Sequence, residues 1–301
     1  MHEMISYEGW PNCIRFYNDE IELIAATDIG CRILRAGYID GQNFFYASPD
    51  DAGKTGGDGW RIYGGHRLWH APEAIPRSYY PDNDPIEYLL QDNKLTLRQA
   101  REETTGIVKE MEIVLHPSAN EIKLTHRLIN KNLWTVSLSP WAISAMAPGG
   151  AAIVPQEPFG EGDEFLLPAR PLTLWPYARM QDPRWFWGND YILGAQDPNE
   201  HTEQKIGVLN KQGWCAYHLN RELFLKRFSY EPRRQYPDFN SNNEIYINQH
   251  FLEIETLGPI ADLAPGEAAE HTEYWLISKT SSDNVEEIMQ RHILPITQSF
   301  L

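Results

Sequence analysis

Residues 252–256 alternate Leu, Ile and Thr with two glutamates, Glu253 and Glu255. Because successive side chains of an extended strand point to opposite faces, this pattern predicts a strand that carries both carboxylates on one face. The Pro265-Gly266 pair then predicts a turn, and residues 271–275 predict a second strand. Two carboxylates on one sheet face repel each other and are costly to bury. Their presence beside so many apolar residues indicates that the protein uses them.

The same alternation recurs along the chain and predicts an all-β protein. It is clearest in residues 107–115 and 122–128, which the turn-forming residues 116–120 separate. Residues 214–218 and 223–228 predict a further hairpin. Shorter strands are expected at residues 21–25, 33–39 and 44–46.

Helical signals are few. Residues 282–291 predict a C-terminal helix, with a polar cap, acidic residues in the first turn and Pro295 beyond its end. Residues 48–59 and 147–199 are rich in Gly, Pro, Asp or Trp, and we predict long loops there. The sequence of 301 residues shows no internal repeat and no linker, so we expect residues 1–301 to form one domain.

The formal net charge of −16 and the sequence pI of about 5.0 argue against two classes of partner. Binding of nucleic acid, or of an anionic membrane surface, needs clustered Lys and Arg, and no such cluster occurs in the sequence. The amino terminus lacks a basic region followed by an apolar run, and no apolar stretch reaches membrane-spanning length. We therefore expect a cytoplasmic protein with no nucleic-acid or membrane partner.

The sequence lacks the motifs typical of disulfide scaffolds, zinc ribbons, nucleotide-binding sites and serine hydrolases. Cys13, Cys31 and Cys215 are widely spaced and form no CxxC pair, so we expect core cysteines rather than a disulfide scaffold or a zinc ribbon. The sequence contains no G-x-G-x-x-G segment, no Walker loop and no G-x-S-x-G elbow. We therefore expect no cofactor and no serine nucleophile.

A glycine pair, Gly64-Gly65, opens a second notable segment. On the strand that follows, His66 and His70 would lie on one face and Arg67 and Trp69 on the other. The histidines suit acid–base catalysis or hydrogen bonding to a sugar, and partly exposed histidines at a strand rim are the alternative. Histidines four residues apart on a helix would suit zinc, but the glycine pair and the following Ala-Pro oppose a helix, so we expect no metal.

Ten tryptophans and fifteen tyrosines make an aromatic load that suits stacking on sugar rings. Most tryptophans are expected in the core. Trp60, Trp69 and Trp175 are better ligand candidates, because they lie beside the polar candidates or in the predicted loops.

Lys226 is a charged residue inside an apolar strand. A lysine with its ammonium group in solvent is one interpretation, and binding of an acidic sugar or a phosphate is the other.

Several segments resemble, in order, the galactose mutarotase-like superfamily of aldose 1-epimerases and hexose-phosphate epimerases: residues 28–33, 40–43, 63–72, 254–256, 265–267 and 271–272. A bacterial branch of that superfamily is more closely similar, at residues 69–72, 167–172, 174–177, 236–238 and 255–259. The resemblance implies a twisted two-sheet antiparallel β-sandwich with a sugar site on the concave face of the larger sheet. It also implies that Glu255 is the catalytic base. We expect contacts to the sugar or oligosaccharide from Trp60, Arg67, Trp69, Trp175, Lys226, Asp238 and Glu253.

The sequence departs from the superfamily at two expected histidines. Residues 139–146, where mutarotases carry their acid, contain no histidine, and residues 73–77 replace the His-Gly-Phe motif of the hexose-phosphate epimerases. Three hypotheses follow. The first is an aldose epimerase with Glu255 as base and His66 or His70 as a relocated acid. The second is a carbohydrate-binding protein without that activity. The third is a hydrolase or lyase acting on glycans.

Overall fold

The computed structural model describes residues 1–160, 162 and 166–297. Over these residues the chain forms two antiparallel sheets, one of eleven strands and one of ten. The first sheet contains β1 His2–Tyr7, β2 Trp10–Tyr17, β3 Ile21–Ala26, β4 Arg32–Tyr38, β5 His66–Ala71, β10 Val136–Met146, β12 Leu172–Leu174, β15 Gln204–Val208, β18 Asn243–Ile247, β19 Leu252–Leu257 and β20 Ala261–Leu263. The second sheet contains β6 Glu87–Gln91, β7 Lys94–Arg98, β8 Ile107–Leu115, β9 Glu121–Asn130, β11 Ala151–Pro155, β13 Trp185–Trp187, β14 Tyr191–Ala195, β16 Trp214–Leu219, β17 Glu222–Phe228 and β21 Ala268–Lys279.

The strand order brings together segments that are far apart in sequence. The first sheet runs β1-β2-β3-β4-β5-β10-β19-β18-β15-β12, with β20 paired to β10. The second runs β13-β14-β11-β16-β17-β21-β9-β8-β7-β6. The strands β5, β10 and β19 are therefore direct neighbours, and residues of all three can share one face. This architecture confirms the predicted two-sheet antiparallel β-sandwich.

Helical segments are short. A 3-10 turn spans Arg77–Tyr79. The C-terminal helix begins at Val285–Ile288, after Asn284 accepts a hydrogen bond from the backbone of Glu287 as its cap, and continues through a π-helical turn. This helix confirms the predicted C-terminal one, but Pro295 does not lie beyond its end, because a last helical segment spans Leu294–Thr297. No helix in the described part of the chain is both long and apolar enough to cross a membrane.

One predicted loop and one predicted strand need correction. The predicted loop over residues 147–199 contains four strands. Three of them, β11, β13 and β14, pair with one another at one edge of the second sheet, and β12 pairs with β15 at the edge of the first sheet. Residues 44–46 form no strand and make only an isolated bridge, between Phe45 and Met146. The hairpin predicted around residue 220 is confirmed as β16 and β17, joined at residues 220–221.

The main core lies between the sheets. Phe16, Phe44 and Ile254 of the first sheet and its loops pack against Phe224 and Trp275 of the second. Burial of each such side chain contributes about 1.5–3 kcal/mol to folding. The three cysteines are unpaired and buried, as predicted. Since one face of the first sheet is used by this core, its other face is free to carry a site.

Candidate functional site

A cleft of about 390 Å³ opens on the face of the first sheet that points away from the second sheet. We call it the outer cleft. Its aromatic lining consists of Trp60, Trp69, Tyr79, Trp141, Trp175, Tyr177, Tyr246 and Phe251. Its charged lining consists of Arg67, Glu73, Glu203, Lys205 and Glu253. An aromatic cleft with a few fixed charges is a typical small-molecule site.

The glycine pair before β5 is needed for the chain to enter the sheet. Gly64 has φ of +93°, and a Cβ there would lie 2.0 Å from the carbonyl oxygen of Tyr46. At Gly65, with φ of +72°, a Cβ would lie 2.3 Å from the carbonyl oxygen of Ile33. Any side chain at either position would push β5 away from its neighbours.

Strand alternation then sorts the side chains of β5. Arg67 and Trp69 line the outer cleft, whereas His66 and His70 point to the opposite face. Arg67 is paired in register with Ile143 of β10, which in turn is paired with Glu255 of β19. Because paired residues of antiparallel strands share a face, the side chains of this row all lie on the face of the sheet that carries the outer cleft.

Arg67 and Glu253 form a buried ion pair in the cleft. Nη2 of Arg67 donates to Oε1 of Glu253 at 2.9 Å, and the two side chains are 3% and 10% exposed. Burial raises the pKa of Glu253, while the charge of Arg67 opposes that rise. Nε and Nη1 of Arg67 and Nε1 of Trp69 are buried and have no hydrogen-bond partner among the described residues.

Lys205 forms the second charged group of the cleft. Its Nζ lies 2.9 Å from Oε2 of Glu244 and also 2.9 Å from Oε2 of Glu255. The ammonium group also lies 4.7 Å from the ring of Trp141 and 4.8 Å from the ring of Trp175. Burial would lower the pKa of Lys205, but the two carboxylates outweigh it and raise the pKa well above the usual range. Lys205 therefore stays charged and holds two aromatic walls in place.

The predicted site residues divide into two groups. Five of them line the outer cleft: Trp60, Arg67, Trp69, Trp175 and Glu253. The other five lie outside it: His66, His70, Lys226, Asp238 and Glu255.

Glu255 does not line the cleft and is almost completely buried. Its Oε2 accepts hydrogen bonds from Nε1 of Trp141 at 2.8 Å and from Lys205. Asp238 is half-buried, lies near Glu244, and has its pKa raised by burial. Glu255 therefore supports two residues of the cleft, Trp141 and Lys205, from outside.

His66 and Lys226 belong to a polar network between the sheets. Nδ1 of His126 must donate to the carbonyl oxygen of His271, 3.0 Å away, because a carbonyl only accepts. Its Nε2 therefore accepts from Nε2 of His66 at 2.7 Å, and Nδ1 of His66 accepts from Ser144 at 2.8 Å. This hydrogen-bonded chain satisfies both imidazoles.

The carboxylate of this network is Glu273. Nζ of Lys226 lies 3.0 Å from Oε1 of Glu273, and both side chains are fully buried. The interpretation of Lys226 as a lysine with its ammonium group in solvent is therefore wrong. His66, His126 and Glu273 are close enough together to hold a metal ion, but each already has protein partners.

Sequence reasoning missed Lys205, Trp141, Tyr177 and Tyr246. Lys205 was detectable, because it is a charge inside the apolar strand β15, the same signal that drew attention to Lys226. The aromatic residues carried no signal of their own. Trp141 and Tyr246 reach the cleft on β10 and β18, and Tyr177 follows β12, which pairs with β15. A single sequence does not reveal this pairing.

No known family's sequence profile matches the chain, and no curated protein matches it in sequence. Solved structures do match its fold. A galactose mutarotase-like protein from Lactobacillus casei ATCC 334 is 9% identical, with a TM-score of 0.56 over 89% of this chain and 100% of that chain. A galactose mutarotase-like protein from Clostridium acetobutylicum is 11% identical, with a TM-score of 0.55 over 93% of this chain and 99% of that chain.

A third structure, a galactose mutarotase related enzyme from Lactobacillus acidophilus, is 11% identical, with a TM-score of 0.52 over 90% of this chain and 99% of that chain. The predicted resemblance is thus confirmed at the level of the fold. This chain has a galactose mutarotase-like scaffold, and a shared scaffold does not determine its chemistry.

Proposed function

We propose that the protein binds a carbohydrate in the outer cleft. The observation that carries this proposal is the set of three buried donors without partners, on Arg67 and Trp69, within an aromatic cleft. A buried donor left without a partner costs about 1–3 kcal/mol. Sugar hydroxyl or carboxylate oxygens would satisfy these donors while the apolar face of the ring stacks on Trp69 or Trp175.

The charges of the cleft favour a ligand with many oxygen atoms. Glu253 offers acceptor oxygens beside the donors of Arg67, so adjacent hydroxyl groups could each find a partner there. Glu73 and Glu203 provide further carboxylates at the cleft wall. An apolar ligand would leave the buried donors of Arg67 and Trp69 unsatisfied.

A second candidate function is aldose 1-epimerase-like isomerisation with Glu253 as base. In this reaction a base takes the proton of the anomeric hydroxyl while an acid protonates the ring oxygen, and the ring opens and closes on the other face. Glu253 lines the cleft, and burial raises its pKa, which makes its carboxylate a better proton acceptor. Glu255 has no exposed surface, so we assign it to positioning Lys205 and Trp141. No histidine lies among the cleft residues of the described chain, which is why binding is the first proposal.

The test is titration calorimetry together with proton NMR of freshly dissolved single-anomer sugars. The panel covers neutral, acidic and phosphorylated aldoses, with wild type and with Glu253→Gln. The matched control is Glu203→Gln, since Glu203 is exposed at the same cleft. We expect saturable binding of at least one sugar class, weakened by Glu253→Gln far more than by Glu203→Gln.

Two outcomes separate the candidates. Anomer exchange above the spontaneous rate, lost in Glu253→Gln and kept in Glu203→Gln, would establish the epimerase. Binding without exchange would establish the sugar-binding protein. Absence of any saturable binding across the panel, and across a glycan array, would refute both.

A further inference from the structure

A second cavity, of about 370 Å³, is lined by His70, which points to the face of β5 opposite the outer cleft. We call it the His70 cavity. Its apolar wall is formed by Ile107 of β8 and by Val136 and Leu138 of β10, which pack in one cluster. Arg77 also lines it. None of these residues takes part in the function proposed above.

His70 is held in a defined tautomer by Glu102. The side chain of His70 is 1% exposed, and its Nε2 lies 3.3 Å from Oε2 of Glu102. Burial pushes the pKa of Glu102 upward, but Lys109, 2.8 Å away, and His70 outweigh it, so the pKa falls to about 2. Glu102 is therefore a carboxylate that can only accept, and the proton of the imidazole must sit on Nε2.

This tautomer leaves the other ring nitrogen as an acceptor. Burial lowers the pKa of His70, so the imidazole is neutral and its Nδ1 carries a lone pair. Nδ1 is buried and has no partner among the described residues. An imidazole whose orientation is fixed by a carboxylate, with the second nitrogen unused, is arranged to accept a hydrogen bond from a ligand.

Arg77 supplies an unpaired positive charge to the same cavity. Within the described chain no carboxylate forms an ion pair with it, and its Nε has no hydrogen-bond partner. Among the residues that the structure describes, its guanidinium group donates only to the carbonyl oxygen of Pro72. Its charge is close enough to contribute to the lowered pKa of His70. A ligand anion could therefore contact Arg77 while a hydroxyl group reaches His70.

We propose that the His70 cavity is a second ligand site that takes a small aromatic or alicyclic hydroxy acid. The hydroxyl group of the ligand donates to Nδ1 of His70, and its carboxylate pairs with Arg77. The ring lies against the apolar wall. This site is independent of the outer cleft, because the sheet separates the two.

The test uses 4-hydroxybenzoate as probe, with benzoate and phenol as analogues that each lack one of the two groups. Long-range proton–nitrogen spectra of the labelled full chain follow the ring nitrogens of His70, with buried His126 as an internal control. We expect the Nδ1 resonance of His70 to move with 4-hydroxybenzoate and that of His126 to stay. Benzoate and phenol should each bind about tenfold more weakly, the factor for one lost hydrogen bond or ion contact.

Two variants locate the binding. Thr104→Trp, at an exposed position that lines the cavity, should abolish the shift, whereas Trp175→Ala in the outer cleft should leave it unchanged. The proposal is overturned if the His70 resonance does not move, if benzoate binds as tightly as 4-hydroxybenzoate, or if Trp175→Ala removes the effect. The analogue series needs only wild type, so a variant that fails to fold does not block the decision.

Discussion

Nζ of Lys205 lies 2.9 Å from Oε2 of Glu255, and the side chains are only 5% and 1% exposed. The same ammonium group contacts Glu244, whose pKa burial raises well above its ordinary range. One cation thus serves two buried carboxylates on neighbouring strands, β18 and β19. The floor of the outer cleft depends on this single group.

Replacing Lys205 with Met should destabilise the fold strongly. The change leaves Glu244 and Glu255 buried without a cation, and removing one partner of a buried ion pair costs about 3–5 kcal/mol. Urea unfolding near neutral pH measures the effect. Lys211→Met is the matched control, because Lys211 forms only a surface contact with Glu157, worth about 1 kcal/mol at most.

A double variant tests the cause of that loss. Adding Glu244→Gln to Lys205→Met removes one of the two stranded carboxylates and should restore part of the stability. A loss below about 1 kcal/mol in the single variant, or no recovery in the double one, would contradict the role assigned to Lys205.

Trp175→Ala should weaken sugar binding at a modest cost in stability, because the ring is only half-buried but contacts the ammonium group of Lys205. The ring of Trp175 lies half-buried at the cleft, and a stacking contact contributes about 1 kcal/mol beyond area burial, or roughly a fivefold change in affinity. Titration calorimetry with the best ligand of the sugar panel measures it. Trp187→Ala is the control, since Trp187 is also half-buried but lies on β13 in the second sheet. Equal effects of the two changes would argue against stacking on Trp175.

The free energy of unfolding should fall as the pH drops below about 6.5. Burial lowers the pKa of His271 from 6.5 to about 3. Between these two values the histidine is protonated in the unfolded chain and neutral in the folded chain. Each such histidine removes about 1.4 kcal/mol of stability for every pH unit between the two pKa values. His66, His70 and His126 have pKa values lowered for the same reason and add to this loss, whereas the raised pKa values of Glu244 and Glu253 oppose it.

The His271→Gln variant isolates one of these contributions. Gln can keep a hydrogen bond to Thr256, which lies 2.7 Å from Nε2 of His271, but it cannot be protonated. Urea unfolding at several pH values between about 5 and 6.5 gives the slope of the free energy of unfolding against pH. For the variant this slope should be smaller than the slope for wild type by the equivalent of about one proton. An unchanged slope would mean that His271 is protonated in the folded protein.

The fold was predictable because its signals are local. Alternation in residues 107–115 and 252–256, and the turn between β16 and β17, needed no knowledge of the rest of the chain. The predicted faces of β5 also follow from alternation alone. The prediction of a loop over residues 147–199 was wrong, because the high Gly and Pro content of this region masks its short edge strands.

The site was only partly predictable, because how deeply a side chain is buried depends on residues that are distant in the sequence. Glu253 and Glu255 share a face and differ by two positions, yet Glu253 lines the cleft and Glu255 does not. What separates them is Lys205 and Trp141, which arrive from β15 and β10. Nothing near Glu255 in the sequence indicates that two distant side chains cover it.

The division of β5 between its two faces also has an evolutionary consequence. Trp69 and His70 are adjacent in sequence, yet one lines the outer cleft and the other lines the His70 cavity. Inserting or deleting one residue within β5 would exchange every side chain between the faces and damage both cavities at once. Homologous chains should therefore keep a constant spacing from Gly65 to Pro72 and accommodate length variation in the preceding loop.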